Sequence, residues 1–145
     1  MKVDENTSVK ETGDEAQILS KLNIPFYIDK NRVRAVEKIN KNHDCDVIIS
    51  DDGLQHYKMK RDIEIAVIDG KRRFGNKLTF PAGPLRESIK RLDSVDFVVN
   101  NSGPTEEEEF LMNVSPSEFV HLKSGKSYKV EEWPMHNQVH AVAGL

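Results

Sequence analysis

Cysteine occurs once in this chain, at Cys45, so no intramolecular disulfide can form, and a lone thiol fits a reducing compartment. Long apolar runs are missing. Nothing approaches the roughly 18 consecutive apolar residues of a membrane-spanning helix, and the amino terminus carries no secretory signal pattern. A peripheral membrane contact through a segment outside these residues stays open. Basic excess is missing too: 24 acidic side chains outnumber 21 basic ones, which argues against a nucleic-acid partner. There is no internal repeat, no low-complexity tract and no GxxxxGK[ST] phosphate loop. Gly125, Lys126 and Ser127 supply the last triplet of that pattern, but Val120 stands where its first glycine belongs, so the triplet reads as a turn.

What is present is a soluble globular composition at the length of one domain: 145 residues, 37% hydrophobic and 31% charged. Residues 1–12 are polar and aperiodic and read as a loop or disordered tail. Asp14 and Glu15 precede an apolar stretch and mark a helix start. Residues 25–28 read as a short strand, and residues 32–42 as an amphipathic helix with Val33, Val36 and Ile39 on its apolar side. The β-branched run at 46–50 predicts a strand buried on both faces. The run at 63–68 predicts the centre of a parallel sheet.

Further along, the glycines and prolines of residues 71–85 predict a long ordered loop. Residues 86–93 suit a short helix and 95–99 a third strand. The glutamate block at 106–109 reads as a solvated helix face. Residues 118–122 and 140–142 are weaker strands. Strands alternating with helices predict an α/β fold with a mainly parallel sheet flanked by helices.

The chemistry concentrates at residues 46–56, DVIISDDGLQH. A strand that ends on two adjacent carboxylates, Asp51 and Asp52, is how phosphoryl-transfer folds present magnesium at a sheet edge. Two neighbouring carboxylates repel each other, and a cation between them removes that cost. Gly53 is expected to turn the backbone sharply, leaving Gln55 and His56 near the same edge. A turn or capping role for the two acids is the plainer alternative.

The set GDEA (13–16), DDGLQH (51–56), RDIEIAVIDG (61–70), RFGN (73–76), PAGPLRE (81–87), RLDSVDFVV (91–99) and HAVAGL (140–145) resembles the tetraacyldisaccharide 4′-kinase family, in order and spacing, from Gly13 to the last residue. The resemblance implies a P-loop NTPase-like kinase fold, with residues 13–145 a partial kinase domain. It also implies ATP and Mg²⁺ as cofactors, and an acylated glucosamine disaccharide 1-phosphate phosphorylated at its 4′-hydroxyl in lipid A biosynthesis. The setting it implies is the cytoplasmic face of a Gram-negative inner membrane, whose surface is contacted through segments outside this chain. Family members carry a membrane-associating segment and a Walker A loop before the position of Met1, and continue past HAVAGL to a histidine that pairs with the catalytic aspartate. The chain is therefore expected to be an internal piece, inactive alone.

By the same resemblance Asp14 is the general base for the sugar hydroxyl, although an Asp-Glu pair at a helix start is by itself a capping device. Glu87 is a further magnesium ligand beside Asp51 and Asp52, and Arg86 neutralises phosphate with its planar fork of donors. Gln55 and His56 stand beside the nucleotide or the acceptor sugar. His43, His121 and His136 lack such context and are expected to be inert, and His140 to be structural. Cys45 reads as a small apolar residue. Competing readings are another P-loop NTPase or ligase, and a non-catalytic product that keeps only the ancestry.

Overall fold

Asn31 sets the start of the longest helix. Its backbone is extended (φ −99°, ψ 101°) and its side-chain oxygen accepts the Arg34 amide, which satisfies one of the free donors of the first turn. The structure, a computed structural model, describes residues 1–4, 6–121 and 123–132. It divides into two units, Met1–Glu64 and Ile65–Leu145.

In the first unit, β1 (Lys2–Val3) pairs antiparallel with β2 (Phe26–Tyr27). The helices are α1 (Val9–Thr12), α2 (Asp14–Ser20) and α3 (Arg32–Asn42). Gly13 ends α1 and opens α2 at φ +84°, a backbone that a side chain would strain. The buried apolar residues are Val3, Ala16 and Ala35. Residues 1–12 are thus not a structureless tail: Val3 is buried, and the Gln17 amide donates to the Thr7 carbonyl. His43 is structural here, with Nε2 3.1 Å from the Tyr27 hydroxyl and the two rings edge to face.

The run at 46–50 departs from expectation. It forms no strand, and Val47 and Ile49 are 75% and 88% exposed. A β-branched run becomes a buried strand only where neighbours complete its ladder and cover both faces. Among the described residues nothing pairs with it.

The second unit holds three parallel strands, β3 (Ile65–Asp69), β4 (Phe97–Asn101) and β5 (Glu109–Met112), in the order β3-β4-β5. The 63–68 run is therefore an edge strand among the described residues, and β4 is the centre. Ala66 and Ile68 are buried while Ile65 and Val67 on the opposite face are exposed, so one face only is covered. The third strand starts two residues later than expected and takes in Asn100 and Asn101. Ile89–Ser94 forms a 3₁₀ turn. Glu109 opens a strand, which corrects the reading of its block as a helix face. A hairpin pairs β6 (Glu118–Val120) with β7 (Ser127–Lys129), turning at Gly125 with φ +66°. Residues 140–142 lie outside the described residues. The chain is α/β with a parallel three-stranded sheet, and no helix among the described residues is long and apolar enough to cross a membrane.

Candidate functional site

The DDGLQH loop is shaped by a division of labour between Asp52 and Gly53. The left-handed turn falls on Asp52 (φ +50°), not on the glycine as the sequence suggested. Gly53 is needed for another reason: a Cβ there would lie 2.9 Å from Ser50 Oγ and 3.3 Å from Ser50 O. The His56 amide donates to Gly53 O at 3.0 Å and the Met59 amide to His56 O at 2.9 Å. Arg61 then clamps the loop, its Nη1 donating to Gly53 O at 2.7 Å and Leu54 O at 3.1 Å. Its Nη2 is 2.7 Å from Glu64 Oε1. Asp51, Asp52 and Gln55 are exposed, and His56 is half-buried.

Asp14 begins α2, with Oδ1 accepting the Glu15 amide at 3.0 Å. A groove of about 660 Å³ in the same unit has Thr12, Glu15 and Asp51 along its lining. A second pocket is lined by Thr12 and His56. Thr12 lines both pockets, one with Asp51 and the other with His56.

Arg86 and Glu87 belong to the second unit, at the exit of the 71–85 loop. That loop is ordered by its own bonds. Asn76 Nδ2 donates to Ala82 O at 2.8 Å, and Asn76 Oδ1 accepts the Leu78 amide at 3.2 Å. The Phe80 amide donates to Leu85 O at 2.8 Å and the Leu85 amide to Leu78 O at 3.2 Å. Gly83 passes so close that a Cβ would meet Asn76 Oδ1 at 2.2 Å and Leu78 O at 2.3 Å. The Phe80–Pro81 peptide is cis.

Between the chain that leaves β3 and the amino end of β5, a charged network spans 36 residues of sequence. Arg73 Nη1 donates to Glu109 Oε2 at 2.9 Å, and Nη2 lies 2.8 Å from both Glu109 Oε1 and Glu106 Oε1. Asn100, wholly buried, donates Nδ2 to Glu109 Oε2 at 2.8 Å and to Pro104 O at 2.7 Å. Arg73 first, then the Glu106 amide and Asn100, hold the Glu109 carboxyl down at about 2. Asn100 Oδ1 is buried without a hydrogen-bond partner and faces Gly70, where a Cβ would sit 1.8 Å away. Asp69 is also held below the usual carboxylate range, by the Arg72 and Lys71 amides.

Among the described residues no group of three or more His, Cys, Asp or Glu side chains is placed to hold a metal. Magnesium does not require one, because it keeps several waters and binds through one or two carboxylates plus substrate phosphates. The exposed, hard oxygen donors of Asp51 and Asp52 fit that habit. Sequence reasoning gave roles to those acids but none to Arg61, which only opened a motif, and did not pair Arg73 with Glu109. Charged side chains announce no partner in sequence, and this one is 36 positions away.

The profile of the family described as tetraacyldisaccharide-1-P 4′-kinase matches residues 1–145. The tetraacyldisaccharide 4′-kinase of Shewanella frigidimarina is 45% identical over 141 residues, which cover 97% of this chain and 41% of the relative. That of Pseudoalteromonas atlantica is 49% identical over 123 residues, 84% of this chain and 40% of the relative. That of Ruthia magnifica is 46% identical over 144 residues, 99% and 45%. The chain therefore spans less than half the length of these curated relatives. No solved structure matches it. With its whole length matched by one family profile, this chain belongs to the tetraacyldisaccharide 4′-kinase family.

Proposed function

We propose that this chain is part of a kinase of P-loop NTPase-like fold, with residues 13–145 inside the kinase domain. The reaction transfers the γ-phosphoryl group of ATP to the 4′-hydroxyl of a tetra-acylated glucosamine disaccharide 1-phosphate, a step of lipid A synthesis at the cytoplasmic face of the inner membrane. The observation that carries this reading is the family match over residues 1–145.

Phosphoryl transfer asks the protein for positioning and charge neutralisation more than for covalent chemistry. Asp14 accepts the proton of the 4′-hydroxyl as its oxygen attacks the γ-phosphorus; its start-of-helix position leaves the carboxylate exposed to an incoming sugar. Asp51 and Asp52 would hold magnesium, directly or through water, with Glu87 a further ligand, and the ion would supply positive charge against the phosphate oxygens. Arg86 donates to the phosphate oxygens, while Gln55 and His56 orient the nucleotide or the acceptor sugar. The Arg61 clamp keeps the DDGLQH backbone in one arrangement while these groups act.

No GxxxxGK[ST] cradle for the β- and γ-phosphates occurs in the sequence, and the purified 145-residue chain is expected to lack measurable kinase activity. The test is a chimera in which this chain replaces the matching segment of the Shewanella frigidimarina relative. It should phosphorylate the disaccharide lipid from ATP, and Asp14→Asn or Asp51→Asn should lower turnover by about 10²-fold or more. Near-normal rates in either variant would sink the role given to that residue. Robust phosphorylation by the 145-residue chain alone would refute its dependence on a separate phosphate cradle.

A further inference from the structure

Arg73 stands at the root of the 71–85 loop, and Arg86 and Glu87 stand at its exit. The chain leaves β3 through a tight hydrogen-bonded turn. Asp69 Oδ1 accepts the Lys71 and Arg72 amides at 3.0 and 2.9 Å, and Asp69 O accepts the Arg73 amide at 2.7 Å. The backbone at Arg73 is left-handed, φ +51°, which is uncommon for a residue with a side chain and persists only where its surroundings hold it.

The bonds from Asn76 to Leu85 fix the loop's shape, since they join loop residues to one another. They do not fix its bearing on the sheet. A tie to the sheet comes from the Arg73 guanidinium, which meets Glu109 of β5 through two parallel contacts, Nη1–Oε2 at 2.9 Å and Nη2–Oε1 at 2.8 Å. An isolated exposed pair contributes little, but this carboxylate is itself held. Glu109 Oε2 also accepts Nδ2 of the wholly buried Asn100 at 2.8 Å and the Glu106 amide at 3.0 Å. A planar fork on a fixed carboxylate is a fixed point. From there the constraint reaches the loop exit. Gly75 lies two residues beyond Arg73, and a Cβ there would come within 3.0 Å of Pro84 Cγ, so the returning limb passes in contact with the outgoing one. Pro84 is two residues before Arg86.

We propose that Arg73, anchored on Glu109, is a positioning residue for the phosphotransfer reaction: it sets the bearing of the loop exit and so aims Arg86 and Glu87. This role rests on the reading above, in which Glu87 is a magnesium ligand and Arg86 a phosphate ligand. Arg73 acts through Glu87 rather than on the ion, as residues that orient a metal ligand do.

The experiment measures Mn²⁺ affinity by electron paramagnetic resonance on the chimera described above, with a non-hydrolysable ATP analogue present, so that no turnover is read. Glu87→Gln is expected to weaken binding about tenfold or more, and Arg73→Gln about tenfold. Arg73→Lys should bind nearly as weakly as Arg73→Gln, because an ammonium keeps the charge and loses the fork. When Arg73→Gln and Glu87→Gln are combined the two losses should not add, since one residue acts through the other. A merely structural Arg73 would lower the thermal midpoint and leave the metal affinity of the folded protein unchanged. That result, or fully additive losses, overturns the positioning role while the ligand role of Glu87 stands. If Arg73→Gln does not fold, Glu109→Gln makes the same comparison, since it removes the charge and one acceptor of the fork. An unchanged affinity in Glu87→Gln removes the ligand role of Glu87, and the positioning role falls with it.

Discussion

Arg61 and Glu109 show how single charged side chains hold this chain's loops. Arg61, with 18% of its side chain exposed, satisfies two carbonyls of the DDGLQH loop. Arg61→Ala leaves both without that donor and should cost about 1–3 kcal/mol, with faster hydrogen exchange at the His56 amide. Arg61→Lys should recover little, since an ammonium lacks the planar fork that reaches both oxygens. Unchanged exchange in Arg61→Ala would remove the clamp from the account of the site. Glu109 makes a prediction in pH. Its folded carboxyl sits at about 2, below the usual glutamate range, held there chiefly by Arg73. The folded state thus binds a proton less readily than the unfolded one. The stabilisation is complete above the usual glutamate range and is lost as pH falls toward about 2. Urea midpoints measured through that window should fall less steeply in Glu109→Gln than in the parent. Parallel curves would mean that another carboxylate governs the acid limb.

Helix α3 was legible because its evidence is internal. Val33, Val36 and Ile39 repeat at helical spacing, and Asn31 supplies the cap, so no distant partner was needed to place Arg32–Asn42. Asn31→Ala should cost about 1 kcal/mol, seen as a lower thermal midpoint of helical circular dichroism, and Asn31→Asp should restore most of it. An unchanged midpoint in Asn31→Ala would mean the cap adds nothing beyond solvent. Strands were less legible, because a strand is defined by neighbours. The runs at 46–50 and 63–68 look alike in sequence, yet only the second finds a ladder among the described residues, and it does so at an edge. The glutamate block misled for the same reason: composition showed four like charges, while Arg73 and Asn100 make Glu109 a half-buried partner at a strand start. Of the site, the acids were legible as a motif, and the 71–85 loop as a cluster of glycine and proline. Its internal staples were not, since Asn76 and Gly83 meet only after the loop closes. Gly83→Ala should disrupt that closure, because a methyl cannot fit 2.2 Å from Asn76 Oδ1 and 2.3 Å from a backbone oxygen.

Among the described residues, each unit taken by itself buries very little apolar surface. Val3, Ala16 and Ala35 are the buried apolar residues of the first, and Ala66 and Ile68 those of the second, among the described residues. Three of these five are alanines, whose burial contributes least. Val47, Ile49, Ile63, Ile65 and Val67 are more than half exposed. Stability is a small difference between burial and chain entropy, and for a domain this size the entropy side is on the order of 100–200 kcal/mol. So thin a core leaves little margin. A strand that presents Val67 on one face and, among the described residues, has no ladder partner on its free side also invites pairing with another chain. The purified chain is therefore expected to unfold at low urea and to self-associate as its concentration rises, which sedimentation velocity would follow. Val67→Lys, which places a charge on the exposed face of β3, should shift that association to higher concentration without raising the urea midpoint. A sharp, concentration-independent transition from a monomer would show that the exposed apolar set is tolerated. Among the described residues, the free flank of β3 and the uncovered run at 46–50 would then be ordinary surface.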